Sequence, residues 1–258
     1  MKIIKYLFVF LLFIYLLICA VLYFGQERIM FFPSPLSPNY RPSMGIDVSI
    51  PVAEEVDLNA ALISYPNSKG VILYLHGNKG NVERCIRQTR QFQDLGYDIL
   101  IPDYRSYGKS GGVLENEKQM YQDMQLTYDY LSKRYKRILL LGYSMGTGMA
   151  SYLAAHNPCD GLVLISPYVS LVDMKNRYFP IVPSFLMKYK FRTDENLKTV
   201  YCPITLLHGT EDEVIPFESS EDLHRLFPKS TFVPLKGVGH RRIIFDPAVR
   251  RAIISFDS

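Results

Sequence analysis

Short, continuous apolar runs recur along this chain, each followed by a stretch with helical spacing. That alternation restricts the fold more than any other feature. "GVILYLHG" contains such a run at Val71 to Leu75, and "YDILIPDY", "RILLLGYS", "GLVLIS" and "PITLLHG" repeat the pattern. Runs this apolar, with no in–out alternation, belong to strands covered on both faces. Between them, Val82, Ile86, Thr89 and Phe92 recur at helical spacing, as do Met120, Met124, Tyr128 and Leu131. Met149, Tyr152 and Leu153 mark a further helix face. Two alternating strands at 47–52 and 58–65 open the series, and "TFVPL" with a helix over Pro247 to Ile254 closes it. The order predicts an α/β fold: a mostly parallel central sheet with helices on both faces.

The first residues obey a different rule. Lys2 and Lys5 precede the unbroken apolar run "YLFVFLLFIYLLICAVLYF" from Tyr6 to Phe24. At helical rise it reaches about 28 Å, enough to cross a hydrocarbon core. A cleaved signal peptide is the rival reading, but only Cys19 and Ala20 are small enough for a cleavage site, and Ile18 precedes them. The expectation is one uncleaved transmembrane helix, an anchor over 1–25. Lys2 and Lys5 lie before the span, and Arg28 and Arg41 after it. The bias favours a cytoplasmic amino end and a main domain on the extracytoplasmic side. The proline-rich "FFPSPLSPNYRPS" then reads as an extended linker over 26–46, with Phe31 and Phe32 packing on the domain or at the membrane interface. The remainder, 47–258, is one domain.

Where "RILLLGYS" runs into "MGTG", Ser144 stands between Gly142 and Gly146. The match to G-x-S-x-G acquires force from its context. Ser144 follows a buried strand and opens a helix, at the sheet edge where open α/β folds build their sites. Small residues serve helix packing as well, but packing alone does not call for this placement. The pattern predicts a strained turn that exposes a nucleophilic hydroxyl, with the helix amino terminus favouring negative charge beside it.

A serine nucleophile needs a base, and the base an orienting carboxylate. His76 and His208 each precede glycine at a strand end and read as loop-orienting residues. His156 lies too far along the helix after Ser144, and His224 sits in a surface helix. His240 ends the glycine-rich "LKGVGH" after the last strand, at the same edge as Ser144, and is the candidate base. The loop "LLHGTEDEVIP" offers Glu211, Asp212 and Glu213 as the carboxylate. Asp212 is central among them, and Asp173, in "SPYVSLVD", remains an alternative.

The motifs "LHGNKGN", "DYRSYGKSGG", "GYSMG", "SPYVSL", "HGTEDEVIP" and "GVGH", in this order, resemble the α/β-hydrolase superfamily. More narrowly, the chain is similar to membrane-anchored abhydrolase-domain serine hydrolases related to bud-emergence proteins, from about Asp47 onward. The resemblance implies Ser144 as nucleophile, Asp212 as acid and His240 as base. It also implies an oxyanion hole from the backbone N–H groups of Asn78 and Met145. Two positions depart from the family's habit: Ser106 where glycine is frequent, and Arg241 with Arg242 where a polar residue follows the histidine.

Between the strand ending at Ser166 and the next lies 167–202, too long for a plain crossover and too short for a large cap. It is rich in Tyr, Phe, Leu and Met, and Pro180 and Pro183 interrupt it. We read it as a crossover helix with a loop that forms a short cap-like insertion, its Tyr178, Phe179, Phe185 and Tyr189 walling an apolar acyl pocket.

These features predict a membrane-anchored serine hydrolase that cleaves carboxylic ester or thioester bonds. A serine peptidase or acyltransferase on the same fold, or a catalytically silent membrane scaffold, stay open as alternatives. A net charge of +4 without a basic tract argues against a nucleic-acid partner. No cofactor is called for, and four cysteines without a CxxC pair argue against a metal site. Cys85 falls on an apolar helix face as a buried thiol. Cys159 and Cys202 precede neighbouring strands at the edge opposite the active site; a disulfide is geometrically admissible there, but two small residues that never meet is the plainer expectation.

Overall fold

The computed structural model describes residues 2–257; Met1 and Ser258, the outer ends of the expected segments, lie outside the described residues. Eight strands form the central sheet: β1 (Ile46–Ala53), β2 (Val56–Ile63), β3 (Val71–Leu75), β4 (Asp98–Pro102), β5 (Ile138–Tyr143), β6 (Gly161–Ile165), β7 (Ile204–Gly209) and β8 (Thr231–Leu235). Their spatial order is β8-β7-β6-β5-β3-β4-β2-β1. β1 pairs antiparallel with β2, and β2 antiparallel with β4; all other pairs are parallel. The chain leaves β3 for β4 on one side and returns to place β5 on the other. The order therefore reverses beside β3, and the crevice beyond the carboxyl ends of β3 and β5 opens there.

The apolar runs are explained by the two cores they serve. Leu73, Leu75, Leu140 and Leu164 face one way, onto Met120, Met124 and Leu131 of α4 (Glu117–Ser132) and Met149 and Leu153 of α5 (Gly146–His156). Ile72, Tyr74, Leu139, Leu141 and Val163 face the other way, onto Val82 and Ile86 of α3 (Val82–Thr89) and Val249 and Ile253 of α9 (Pro247–Ile254). Each strand is wetted on neither face, so successive residues are all apolar. Asn81, Asn116 and Asp246 cap α3, α4 and α9 by accepting from backbone N–H groups of the first turn. The second strand begins and ends two residues earlier than its alternation suggests, and Phe92 falls in a separate 3-10 turn rather than in α3. Ser106 takes φ +68, a left-handed conformation that suits the glycine frequent at this position in the resembled family.

The amino-terminal helix α1 (Lys2–Phe24) is long and apolar enough to cross a membrane. A second short helix, α2 (Gln26–Met30), follows at once. The segment 26–46 is no free linker. Phe31 is buried with its ring 4.8 Å from that of Tyr189. Phe32–Pro33 pairs in parallel with Lys79–Gly80, the Leu36 N–H donates to the Gly108 carbonyl, and the Ser43 N–H donates to the Glu83 carboxylate. The segment is helical over Gln26–Met30 and turns at Ser37–Tyr40, and much of its remaining backbone hydrogen-bonds to the domain.

The insertion 167–202 contains α6 (Leu171–Tyr178), a 3-10 turn over Ser184–Leu186 and α7 (Thr193–Asn196), and α8 (Glu218–Leu226) follows β7. At the opposite edge of the sheet the expectation for the cysteines is corrected. Cys159 and Cys202 are free thiols, but they do come together: they stand just before the neighbouring strands β6 and β7, close enough for each to influence the other's titration.

The burial of Phe31 predicts that Phe31→Ala destabilises the fold by about 3 kcal/mol, while Phe32→Ala, at a half-exposed ring, changes stability little. Chemical denaturation of both variants in detergent checks the difference.

Candidate active site

β5 delivers the chain to Ser144, whose φ is +54. A side chain in this left-handed conformation is strained, and its neighbours explain why it persists. A Cβ on Gly146 would stand 2.0 Å from the Leu75 carbonyl oxygen, and one on Gly142 would stand 2.7 Å from the Gly146 carbonyl oxygen. Only glycine lets the strand, the turn and α5 approach this closely. The turn is then tied down: the Ser144 N–H donates to the Ile165 carbonyl at 2.9 Å, and the Thr147 hydroxyl donates to the Ser144 carbonyl at 2.7 Å.

Two loops beyond β7 and β8 meet the serine there. His240 Nε2 lies 3.0 Å from Ser144 Oγ, and His240 Nδ1 lies 2.7 Å from Asp212 Oδ2. The other Asp212 oxygen accepts the N–H groups of Val214 at 2.9 Å and Ile215 at 2.8 Å. Burial by itself would raise this carboxyl, but hydrogen bonds from His208, His240 and the Ile215 N–H outweigh it and hold Asp212 well below the usual carboxylate range. Asp212 is thus a buried anion at neutral pH, facing the imidazole. Asp173 is elsewhere: on α6, its carboxylate receives Arg177 Nε at 2.8 Å. The geometry favours Asp212 over it.

Three residues support this arrangement in ways that the sequence reading did not foresee. The Tyr143 hydroxyl donates to the His240 carbonyl at 2.9 Å, and its ring lies against the imidazole. The His240 N–H donates to Glu213 Oε2 at 3.0 Å. His208, read as loop-orienting, has its Nε2 3.3 Å from Asp212 Oδ2 and its Nδ1 2.6 Å from Ser220 Oγ, so it packs behind the carboxylate. Tyr143 occupies the variable position of G-x-S-x-G, where no motif signals a role.

The cleft over Ser144 holds about 220 Å³, between His76, Gly77, Asn78, His240 and Phe32, with Lys79, Arg84 and Arg241 at its walls. Asn78 is fixed from three sides: its carbonyl accepts from the Phe32 N–H and the Tyr107 hydroxyl, and its side-chain amide donates to the Met30 carbonyl. Among the described residues, neither the Asn78 N–H nor the Met145 N–H donates to a protein acceptor. Of the four expected pocket residues, Tyr178 and Phe179 line a different cavity, an apolar one of about 230 Å³ between the insertion and the end of α1. Phe185 is exposed and Tyr189 is fully buried in the core. The expectation that these four wall one pocket at the serine is therefore corrected. The insertion packs toward α1, and Phe32, from the segment after α1, lines the cleft.

A strained serine, a histidine within reach and a buried carboxylate on a doubly wound sheet are the arrangement that hydrolases of the serine type use. Comparison with known proteins agrees. Residues 66–191 match the family described as Serine aminopeptidase, S33. The lysophosphatidylserine lipase ABHD12 of Danio rerio is 29% identical over 227 residues, covering 75% of this chain and 59% of that lipase. An uncharacterized protein of Mycobacterium tuberculosis is 28% identical over 247 residues, covering 88% of this chain and 86% of its own. Among solved structures, the Pyrococcus furiosus esterase Pf2001 superimposes with a TM-score of 0.68 at 21% identity, over 88% of this chain and 96% of the esterase, a likeness of fold. The chain spans little more than half the length of the lipases it matches. Its fold is that of the α/β-hydrolases, and its sequence is similar to abhydrolase-domain proteins; the narrower likeness to bud-emergence proteins stays an expectation from sequence.

The clash at Gly146 predicts that Gly146→Ala costs on the order of 1–3 kcal/mol of stability. Gly111→Ala, where a Cβ meets nothing nearer than 3.5 Å, serves as the tolerated control. Denaturation midpoints of the two variants separate them.

Proposed function

We propose that this chain is a membrane-anchored serine hydrolase that cleaves carboxylic ester or thioester bonds through an acyl-serine. The observation that carries the reading is the position of His240, within hydrogen-bond reach of both Ser144 and Asp212. His240 takes the Ser144 proton as the hydroxyl attacks the acyl carbon. The imidazolium formed is stabilised by Asp212, whose buried charge also fixes the tautomer. The N–H groups of Asn78 and Met145 stabilise the oxyanion, each by roughly 3–4 kcal/mol. His240 then protonates the leaving group and activates water for deacylation.

The cationic walls of the cleft, Lys79, Arg84 and Arg241, suit an ester whose leaving group carries negative charge. That agrees with relatives named lysophosphatidylserine lipases, and a lysophospholipid is the substrate class we favour. The apolar helix α1 supports a membrane location, and the distribution of lysine and arginine favours a catalytic domain on the extracytoplasmic side. A peptidase is the second reading, supported by the description of the matching family.

Ser144→Ala is expected to leave the fold intact, to abolish fluorophosphonate labelling and to lower hydrolysis by roughly 10³-fold or more. Labelling that survives in this variant would refute the assignment, and absence of labelling in the unaltered chain would favour a silent scaffold. Asp212→Asn is expected to cost far more activity than Asp173→Asn, because an amide cannot stabilise the imidazolium. Rates on lysophospholipids, short esters, thioesters and aminoacyl amides distinguish the lipase from the peptidase.

A further inference from the structure

The insertion reaches unusually far along α1. The Tyr15 hydroxyl donates to the Ile181 carbonyl at 3.0 Å. Tyr15 lies nine positions before Phe24, roughly 14 Å along the helix at 1.5 Å per residue. A hydrocarbon core is about 30 Å thick, so a loop touching Tyr15 stands near mid-depth if Tyr6 to Phe24 crosses it. The loop cannot be kept in water by sliding the helix outward. Withdrawing Tyr15 to Phe24 would leave only Tyr6 to Ile14 in the bilayer, roughly 13 Å of helix and less than half of what a span needs.

The loop has an apolar composition that suits such a position, and many of its backbone groups are paired within the chain. Ile181 is 76% exposed and Phe185 80%, beside exposed Tyr178 and Phe179. Pro180 and Pro183 remove two N–H donors from the stretch that goes deepest. Carbonyls are taken up by groups of the chain itself: Ile181 by Tyr15, Val182 by Lys175 Nζ, and Leu186 by Gln26 Nε2. The N–H groups of Val182, Leu186 and Met187 donate within the loop, and the Lys188 N–H donates to Gln26 Oε1. In water, solvent would serve these groups; in lipid an unpaired backbone group costs several kcal/mol. On α1, Tyr15, Cys19, Leu22 and Gln26 recur at helical spacing on the side less exposed than the rest of the helix. Two lysines reach the loop from its borders: Lys175 Nζ is satisfied by the Val182 carbonyl at 2.7 Å, and Lys188 Nζ meets the Glu27 carboxylate at 3.1 Å.

We infer that residues 178–187 form a re-entrant loop, buried beside α1 in the leaflet adjoining the catalytic domain, with a lipid bilayer as the partner of its exposed apolar face. The loop rests on the reading of α1 as a membrane span. It gives the apolar cavity lined by Leu22, Met30, Met174, Tyr178 and Phe179 an opening toward acyl chains rather than toward water.

The chain contains no tryptophan, so single replacements report their own surroundings. Four full-length variants, Phe185→Trp, Ile181→Trp, Leu16→Trp on the exposed side of α1 and Tyr201→Trp at the far edge of the domain, are reconstituted in phosphatidylcholine vesicles. Fluorophosphonate labelling first confirms that each is folded. The expected result is blue-shifted emission from the two loop variants and from Leu16→Trp, most of it lost when the lipid carries brominated acyl chains. Tyr201→Trp should emit as in water and resist quenching. Water-like, unquenched emission from both loop variants, with Leu16→Trp still quenched, overturns the loop and leaves the anchor standing. If Leu16→Trp is also unquenched, the anchor fails, and the loop with it.

Discussion

Everything at this site depends on one backbone torsion. Ser144 is held with φ +54 because β5, α5 and the end of β3 crowd together around it. The crowding is tolerated because Gly142 and Gly146 present no side chain to it. The strain is borne by contacts that already exist for other reasons: the Ile165 carbonyl of β6, the Thr147 hydroxyl of α5 and the packed faces of the sheet. A turn of this kind projects the hydroxyl past the sheet edge, and parallel strands bring the loops after β7 and β8 to that same edge. The sheet topology brings the loops that carry Asp212 and His240 within reach, and the hydrogen bonds within them set the distances.

Those distances are stabilised by a shell of polar contacts. Asp212 is buried, so an unpaired charge there would be costly. It is satisfied by two N–H groups of its own loop, by His240 in front and by His208 behind. His240 is gripped through its backbone as well, its N–H by Glu213 and its carbonyl by Tyr143. The imidazole therefore has little freedom to leave the line between Ser144 and Asp212.

The segment that follows α1 belongs to this architecture. Phe32–Pro33 pairs with Lys79–Gly80, and the Phe32 N–H and the Met30 carbonyl both bind Asn78. The residue proposed to bind the oxyanion is thus held in part by the chain emerging from α1. A disturbance at the helix has a short covalent and hydrogen-bonded route to the cleft, through Gln26 to Phe32.

The sequence by itself determined the elements whose causes are local. The strands of the parallel sheet are apolar because both faces are covered, so their residues announced them. The turn at Ser144 was legible because Gly142 and Gly146 have no substitute there, and α9 was expected over Pro247 to Ile254, where it lies. His240 was legible from its place after the last strand. The acid was narrower than its loop only by resemblance, since Glu211, Asp212 and Glu213 look alike until the fold buries one carboxylate and leaves the others at the surface. Tertiary structure alone decided the rest. Tyr143 became a support for His240 because its hydroxyl crosses to a loop almost a hundred residues away. Tyr189 left the expected pocket because Phe31 packs on it, and Cys159 met Cys202 because β6 and β7 are neighbours. Pro180 and Pro183 looked like helix breakers and acquired another meaning only beside Tyr15. In each case the partner is distant in the chain, and no periodicity or spacing encodes a contact that only the closed fold creates.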